Sequence, residues 1–283
     1  MVSPAMRLLA LALAIGLASS TALAAGGELL DEPSSTIELE YRIYAGGIPL
    51  GQVEFNARLR GDSYTASSTL ETVGLASAVW KAELEATSYG TIGSDTLHPA
   101  NYDAFSIHSA TRFERQQVTL AYTNGVPSVT PNPPYRDSIT VEDEYTMNTF
   151  DPVSALVFAT TSYRQYAADP CGLTAPVFDG RRSYRIALDM VRRANVNMDS
   201  GLYNGPVDIC ELKFQPVAGA DQLVFEDGNV PDVFAWIASA QSTADPQRRY
   251  LMPLRIWAET DYGIVVILLT GVHIDGAEIT RLN

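Results

Sequence analysis

The chain has 283 residues, with 33 acidic side chains against 19 basic ones and a formal net charge of −14 at neutral pH. A surface of that sign repels nucleic acid and anionic headgroups at long range, so no nucleic-acid partner is expected. With 46% apolar residues, the chain is long enough to bury one large core or two small ones.

Met1–Ala25 carries one charge, Arg7, ahead of the apolar run Leu8–Ala18 and the small-residue site Ala22-Leu23-Ala24. This order predicts a secretory signal peptide cleaved after Ala24 or Ala25. It leaves residues 26–283 as a single exported β domain. The run is too short to span a bilayer as a mature helix. No cysteine sits near the site to carry a lipid, so the mature chain is expected to be neither membrane-spanning nor a lipoprotein.

Beyond the leader the pattern alternates with period two, the mark of half-buried strands. Ile37, Leu39, Tyr41 and Ile43 share one face, and Val53, Phe55, Ala57 and Leu59 answer them after a Gly46-Gly47 turn. Gly74–Val79 is ambiguous and reads as a short helix, with a strand over Trp80–Tyr89. His98–His108 and Thr111–Gly125 form a further hairpin pair, ending at the Asn124-Gly125 turn signal. The four prolines of residues 126–138 predict irregular backbone, since proline cannot donate to a ladder. Asp151-Pro152 then caps and opens one clear helix over about 152–166. A second short helix is expected over Pro231–Ala240.

Five of the seventeen arginines fall between Arg181 and Arg193. Asp179-Gly180 reads as a hairpin turn, with Arg181 and Arg182 at its rim. Tyr184, Ile186, Leu188 and Met190 then point inward, Arg185 and Asp189 outward. Pro206–Pro216 is the natural antiparallel partner, so Asp189, Asp208 and Glu211 are placed to pair with arginine. The cluster reads first as a solvated strand face. The alternative is an anion site formed by Arg181, Arg182 and Arg185.

Two cysteines, Cys171 and Cys210, flank this stretch. In an exported chain they are expected to form one disulfide, the alternative being two buried thiols. The final hairpin is Arg248–Thr260 with Gly263–Ile274. Its Ile264–Leu269 run is apolar on both faces and reads as a central, fully covered strand. The total is about eleven to thirteen strands with no fixed repeat.

Signals for catalysis are weak. His98, His108 and His273 are scattered, without metal-ligand spacing, so no metal or cofactor is expected. Nucleophile-elbow, phosphate-loop and dinucleotide motifs are absent. Glu83 and Glu85 share a strand face, but a carboxylate pair is defined by separation in space. No catalytic residue is assigned.

Taken together, "YRIYAGGIPLGQVEF", "DPVSALVFA", "VFDGRRSYRIAL" and "LMPLRIWAETDYGIVVILL" resemble the exported bacterial proteins of domain-of-unknown-function family 3108. The likeness spans about residues 37–273, in the expected order. It implies a Gram-negative periplasmic protein with a mostly antiparallel β fold, and a likeness to lipoprotein-carrier half-barrels. The cysteine pair also resembles that of a subgroup of the family. No site residue comes with the resemblance.

The expectation is a mainly β chain, a curved antiparallel meander sheet or half-barrel around one main helix. Such a sheet leaves an apolar cleft suited to a lipid or other lipophilic ligand, in a non-enzymatic binding or envelope-maintenance role. The alternatives are a structural protein docking envelope partners, a hydrolase of envelope polymers using His98 or His108, and an outer-membrane barrel.

Overall fold

The computed structural model describes residues 34–282 apart from 75–76, 78–80, 110–113, 136–139, 162–168, 220–230, 247 and 261–262. The segment expected to be a signal peptide lies outside the described residues, as do most of the helix expected over 74–79 and the end of that expected over 152–166.

Fourteen strands form one antiparallel sheet that is not closed into a barrel. The first seven make a meander: β1 (Ser34–Ala45), β2 (Ile48–Arg60), β3 (Ser63–Thr72), β4 (Lys81–Ile92), β5 (Leu97–Ser109), β6 (Glu114–Thr123) and β7 (Val126–Asn132). Two helices follow, α1 (Asp143–Thr146) and α2 (Pro152–Thr161). The second meander holds β8 (Thr174–Phe178), β9 (Ser183–Asn197), β10 (Asn204–Ala218), β11 (Val233–Gln241), β12 (Arg249–Thr260) and β13 (Gly263–Ile274), with the short β14 (Ala277–Glu278). β1 pairs with β13, so the halves join through the middle and β7 and β8 are the two ends.

The backbone turns follow from residue chemistry. Asn124 (φ 51°) and Gly125 (φ 80°) both adopt positive φ, the requirement of a two-residue hairpin loop between Thr123 and Val126. Gly180 has φ 95°, and a Cβ there would stand 2.7 Å from Val118 Cγ1. The β8–β9 turn therefore packs directly on β6, which brings opposite ends of the sheet together.

The connection between β7 and β8 fills the space that this curling creates. Phe150 accepts a hydrogen bond from the Phe178 amide and donates to Pro176 O, both at 2.8 Å, covering the edge of β8. The Asn148 amide bonds Gly125 O at 2.8 Å. Helix α2 then packs against β3, β4 and β5 on one side and β8 and β12 on the other. Val153, Val157 and Phe158 join the same core cluster as Leu39, Phe55, Tyr64 and Leu120.

Several expectations need correction. Pro231–Ala240 is not a helix: Val233–Gln241 is β11, whose amides pair with both β10 and β12. Two ready ladders override a helical propensity that is only local. The proline-rich stretch is not wholly irregular, because Val126–Asn132 is the edge strand β7, where a missing donor can face outward. β13 is central as expected, yet not fully covered, since Ile264 is 45% exposed. β9 runs to Asn197, and Met190, expected to point inward, is exposed beside a bulge opposite Ile209 and Cys210. Arg193 does pair with Asp208, at 2.9 Å, but Asp189 and Glu211 pair with Lys213 rather than arginine.

Candidate functional site

The start of α2 is fixed by a buried polar cluster. Asp151 caps the helix, accepting the Ser154 amide at 2.8 Å on Oδ1. Its Oδ2 accepts from Ser88 Oγ of β4 at 2.9 Å and from Ser154 Oγ. Ser154 Oγ in turn meets Tyr64 OH of β3 at 2.7 Å. Burial pushes the Asp151 carboxyl above its ordinary range, against the lowering effect of these hydrogen bonds. Burial likewise pushes the Tyr64 phenol up to about 12. These bonds tie one side of the helix to the first meander.

On its other side α2 leaves a cleft of about 350 Å³ against the second meander. Ala155 and Ala159, one helical turn apart, present only methyl groups to it. Val177, Ile186, Leu212, Ile237 and Ile256 contribute from five successive strands of the sheet order. Leu156 lines the cleft while 44% exposed, so the cavity meets solvent along that helix face.

Among the described residues, no charged side chain lines this cleft. Thr160 turns its hydroxyl back to Leu156 O at 2.8 Å, leaving its methyl for the cavity. Burial, then the nearby Asp179 charge, raises the Tyr184 phenol above its ordinary value, so it stays neutral. Such a lining can enclose hydrocarbon. Its volume falls near the lower end of the range for small-ligand pockets, about 300–1,000 Å³.

A disulfide between Cys171 and Cys210 anchors the wall. It joins the loop after α2 to β10, across β9. Both sulfurs are fully buried in a small cluster with Ala235, Ile237 and Leu251, three cleft-lining residues.

The three arginines near the β8–β9 turn do not enter the cleft. Arg182 pairs with Asp179 through Nε and an Nη atom, both at 2.9 Å. Asp179 also accepts the Arg181 and Arg182 amides. Arg181 stacks over the Tyr135 ring at 4.6 Å, and Arg185 is exposed between the cleft-facing Tyr184 and Ile186. His98 and His108 lie at opposite ends of β5, about 30 Å apart at strand spacing. His273 is on β13. Among the described residues, no three His, Cys, Asp or Glu side chains come together as a metal site.

Sequence reasoning missed the contribution of β11 to the cleft. The usable signal was the alternation of Ala235 and Ile237 with Phe234 and Trp236, which has period two.

Among the described residues, no helix is long and apolar enough to cross a membrane. A search of curated proteins found no match. Among solved structures, the chain is similar to a β-barrel-like protein of domain of unknown function DUF1849 from Brucella abortus. The two share 8% identity and a TM-score of 0.49, over 84% of this chain and 97% of the other. The model of DUF3108, described as a protein of unknown function, matches residues 40–270, and the chain belongs to that family.

Proposed function

We propose that this is an exported, periplasmic binding protein that holds an acyl chain or another lipophilic group in the cleft between α2 and β8–β12. The observation that carries the reading is a cavity of about 350 Å³ with no charged lining residue among the described ones, meeting solvent beside the half-exposed Leu156. Each methylene moved there from water contributes about 0.8 kcal/mol. A polar ligand would instead lose hydrogen bonds that this lining cannot replace. The leader sequence and the buried disulfide support an extracytoplasmic setting.

The test is native mass spectrometry of the protein recovered from periplasm without detergent, followed by titration with a fluorescent fatty-acid probe. Co-purified lipid, or saturable probe binding that Ala159→Phe abolishes, supports the reading. Protein free of lipid and unable to bind the probe overturns it.

A further inference from the structure

The opposite side of the same strands carries a second surface. Ala235, Ile237 and Ile256 face the cleft, whereas Phe234, Trp236, Arg255 and Trp257 alternate away from it. The Arg255 guanidinium lies 5.1 Å from the Trp236 ring centre and 5.3 Å from that of Trp257. The rings of Phe234 and Trp257 stack at 5.5 Å, and Trp236 meets Trp257 edge-on at 5.9 Å. Register sets Leu268 opposite Arg255 and Val266 opposite Trp257. Trp236, Arg255, Val266 and Leu268, with Tyr44 and Ile264, wall a groove of about 520 Å³, and Trp257 lies beside it against Arg255.

Arg255 has no counter-ion within ion-pairing distance among the described residues. Its Nε is buried without a hydrogen-bond partner. Arg182, Arg193 and Arg248 each pair with an aspartate. Arg255 thus rests against two indoles rather than a carboxylate, in a chain with 33 acidic residues. A desolvated cation without an anion is unfavourable, and stacking on aromatic faces offsets this only in part. The guanidinium fork suits a carboxylate, and the apolar residues beside it suit a hydrocarbon tail. Asp199 also lines the groove, outside ion-pairing distance of Arg255.

We infer that this groove binds a single-chain anionic amphiphile. Its carboxylate sits on Arg255, and its tail runs along Tyr44, Ile264, Val266 and Leu268. The charge balance favours one molecule over a bilayer. The chain's net −14 opposes a dense anionic surface, while a single head at contact meets Arg255 well inside the Debye length of about 8 Å. The site lies on the opposite side of the strands from the α2 cleft, which has no cation among its described lining residues to select an acid.

The test uses full-length mature protein carrying Trp80→Phe, which leaves Trp236 and Trp257 as its only tryptophans. It is titrated with dodecanoate brominated at the terminal carbon, and with the matching brominated alcohol, reading contact quenching of tryptophan. Saturable quenching is expected, with the acid bound at least tenfold more tightly than the alcohol. Arg255→Gln should remove that preference. Ile264→Asp, a change at an exposed position, should weaken acid binding at least fivefold. Ala159→Phe should leave the quenching unchanged, which separates this site from the cleft. Equal binding of acid and alcohol, or an acid preference that survives Arg255→Gln in folded protein, overturns the inference. So does quenching lost in Ala159→Phe but kept in Ile264→Asp.

Discussion

Ser35 Oγ donates to Asp275 Oδ1 at 2.7 Å, joining the first described strand to the last hairpin across 240 positions of sequence. The same carboxylate accepts the Thr36 amide at 2.9 Å. Its other oxygen takes Ser242 Oγ and the Thr243 and Ala244 amides from the β11–β12 loop. Tyr250 OH closes the group at 2.6 Å from Ser35 Oγ. The start of β1, the β11–β12 loop and the turn after β13 are thus held by one side chain.

Asp275→Ala is therefore expected to destabilise the fold by about 2–3 kcal/mol, since several donors lose a charged acceptor. Urea denaturation at neutral pH measures it; a loss below a few tenths of a kcal/mol would contradict this role.

Acid should expose the same residue. Burial by itself raises the Asp275 carboxyl, but hydrogen bonds from Ser35, the Ala244 and Thr36 amides and Ser242 outweigh it, and the net shift is downward. An unfolded aspartate titrates near about 3.9. The native carboxylate's contribution is thus complete above that pH and is lost as pH falls toward the lower native value. The stability gap between wild type and Asp275→Asn should narrow steadily below about pH 4. A gap independent of pH would argue against a charged Asp275.

Asp151 is shifted the other way, chiefly by burial. The folded state holds its proton more tightly, so its contribution to stability declines as pH rises above the unfolded value of about 3.9. Asp151→Asn keeps a capping oxygen and removes the buried charge. Its stability at neutral pH should equal or exceed that of wild type. Asp151→Ala removes the cap and the carboxylate acceptor shared by Ser88 and Ser154, costing about 1–3 kcal/mol. Thermal melts of the two variants across pH separate the charge from the cap.

Replacing both cysteines with serine should lower stability by about 4 kcal/mol on the loop-entropy model, because the bond closes a long loop. Leu188, Ile237 and Ile256 pack around the disulfide. The variant should therefore also show looser probe binding in the adjacent cleft, measured by the same fatty-acid titration.

The alternation from Ile37 onward, the Asn124-Gly125 turn and the Asp151-Pro152 helix start were all readable as sequence. Each depends on neighbours a few residues away: side-chain period, the φ that glycine and asparagine accept, or a cap within one turn. Those features set a mainly antiparallel β chain with one main helix, and two cysteines limit disulfide pairing to a single choice.

Tertiary structure decided the rest. β1 meets β13, and β11 is a strand rather than a helix because ladders wait on both sides of it. Arg255 faces away from the cleft, with Trp236 opposite it, only because Leu254 is the extra residue of a bulge against β11. The curling of the sheet around α2 leaves the cleft. Pairings across hundreds of residues depend on which surfaces exclude water together, and no local pattern encodes that choice.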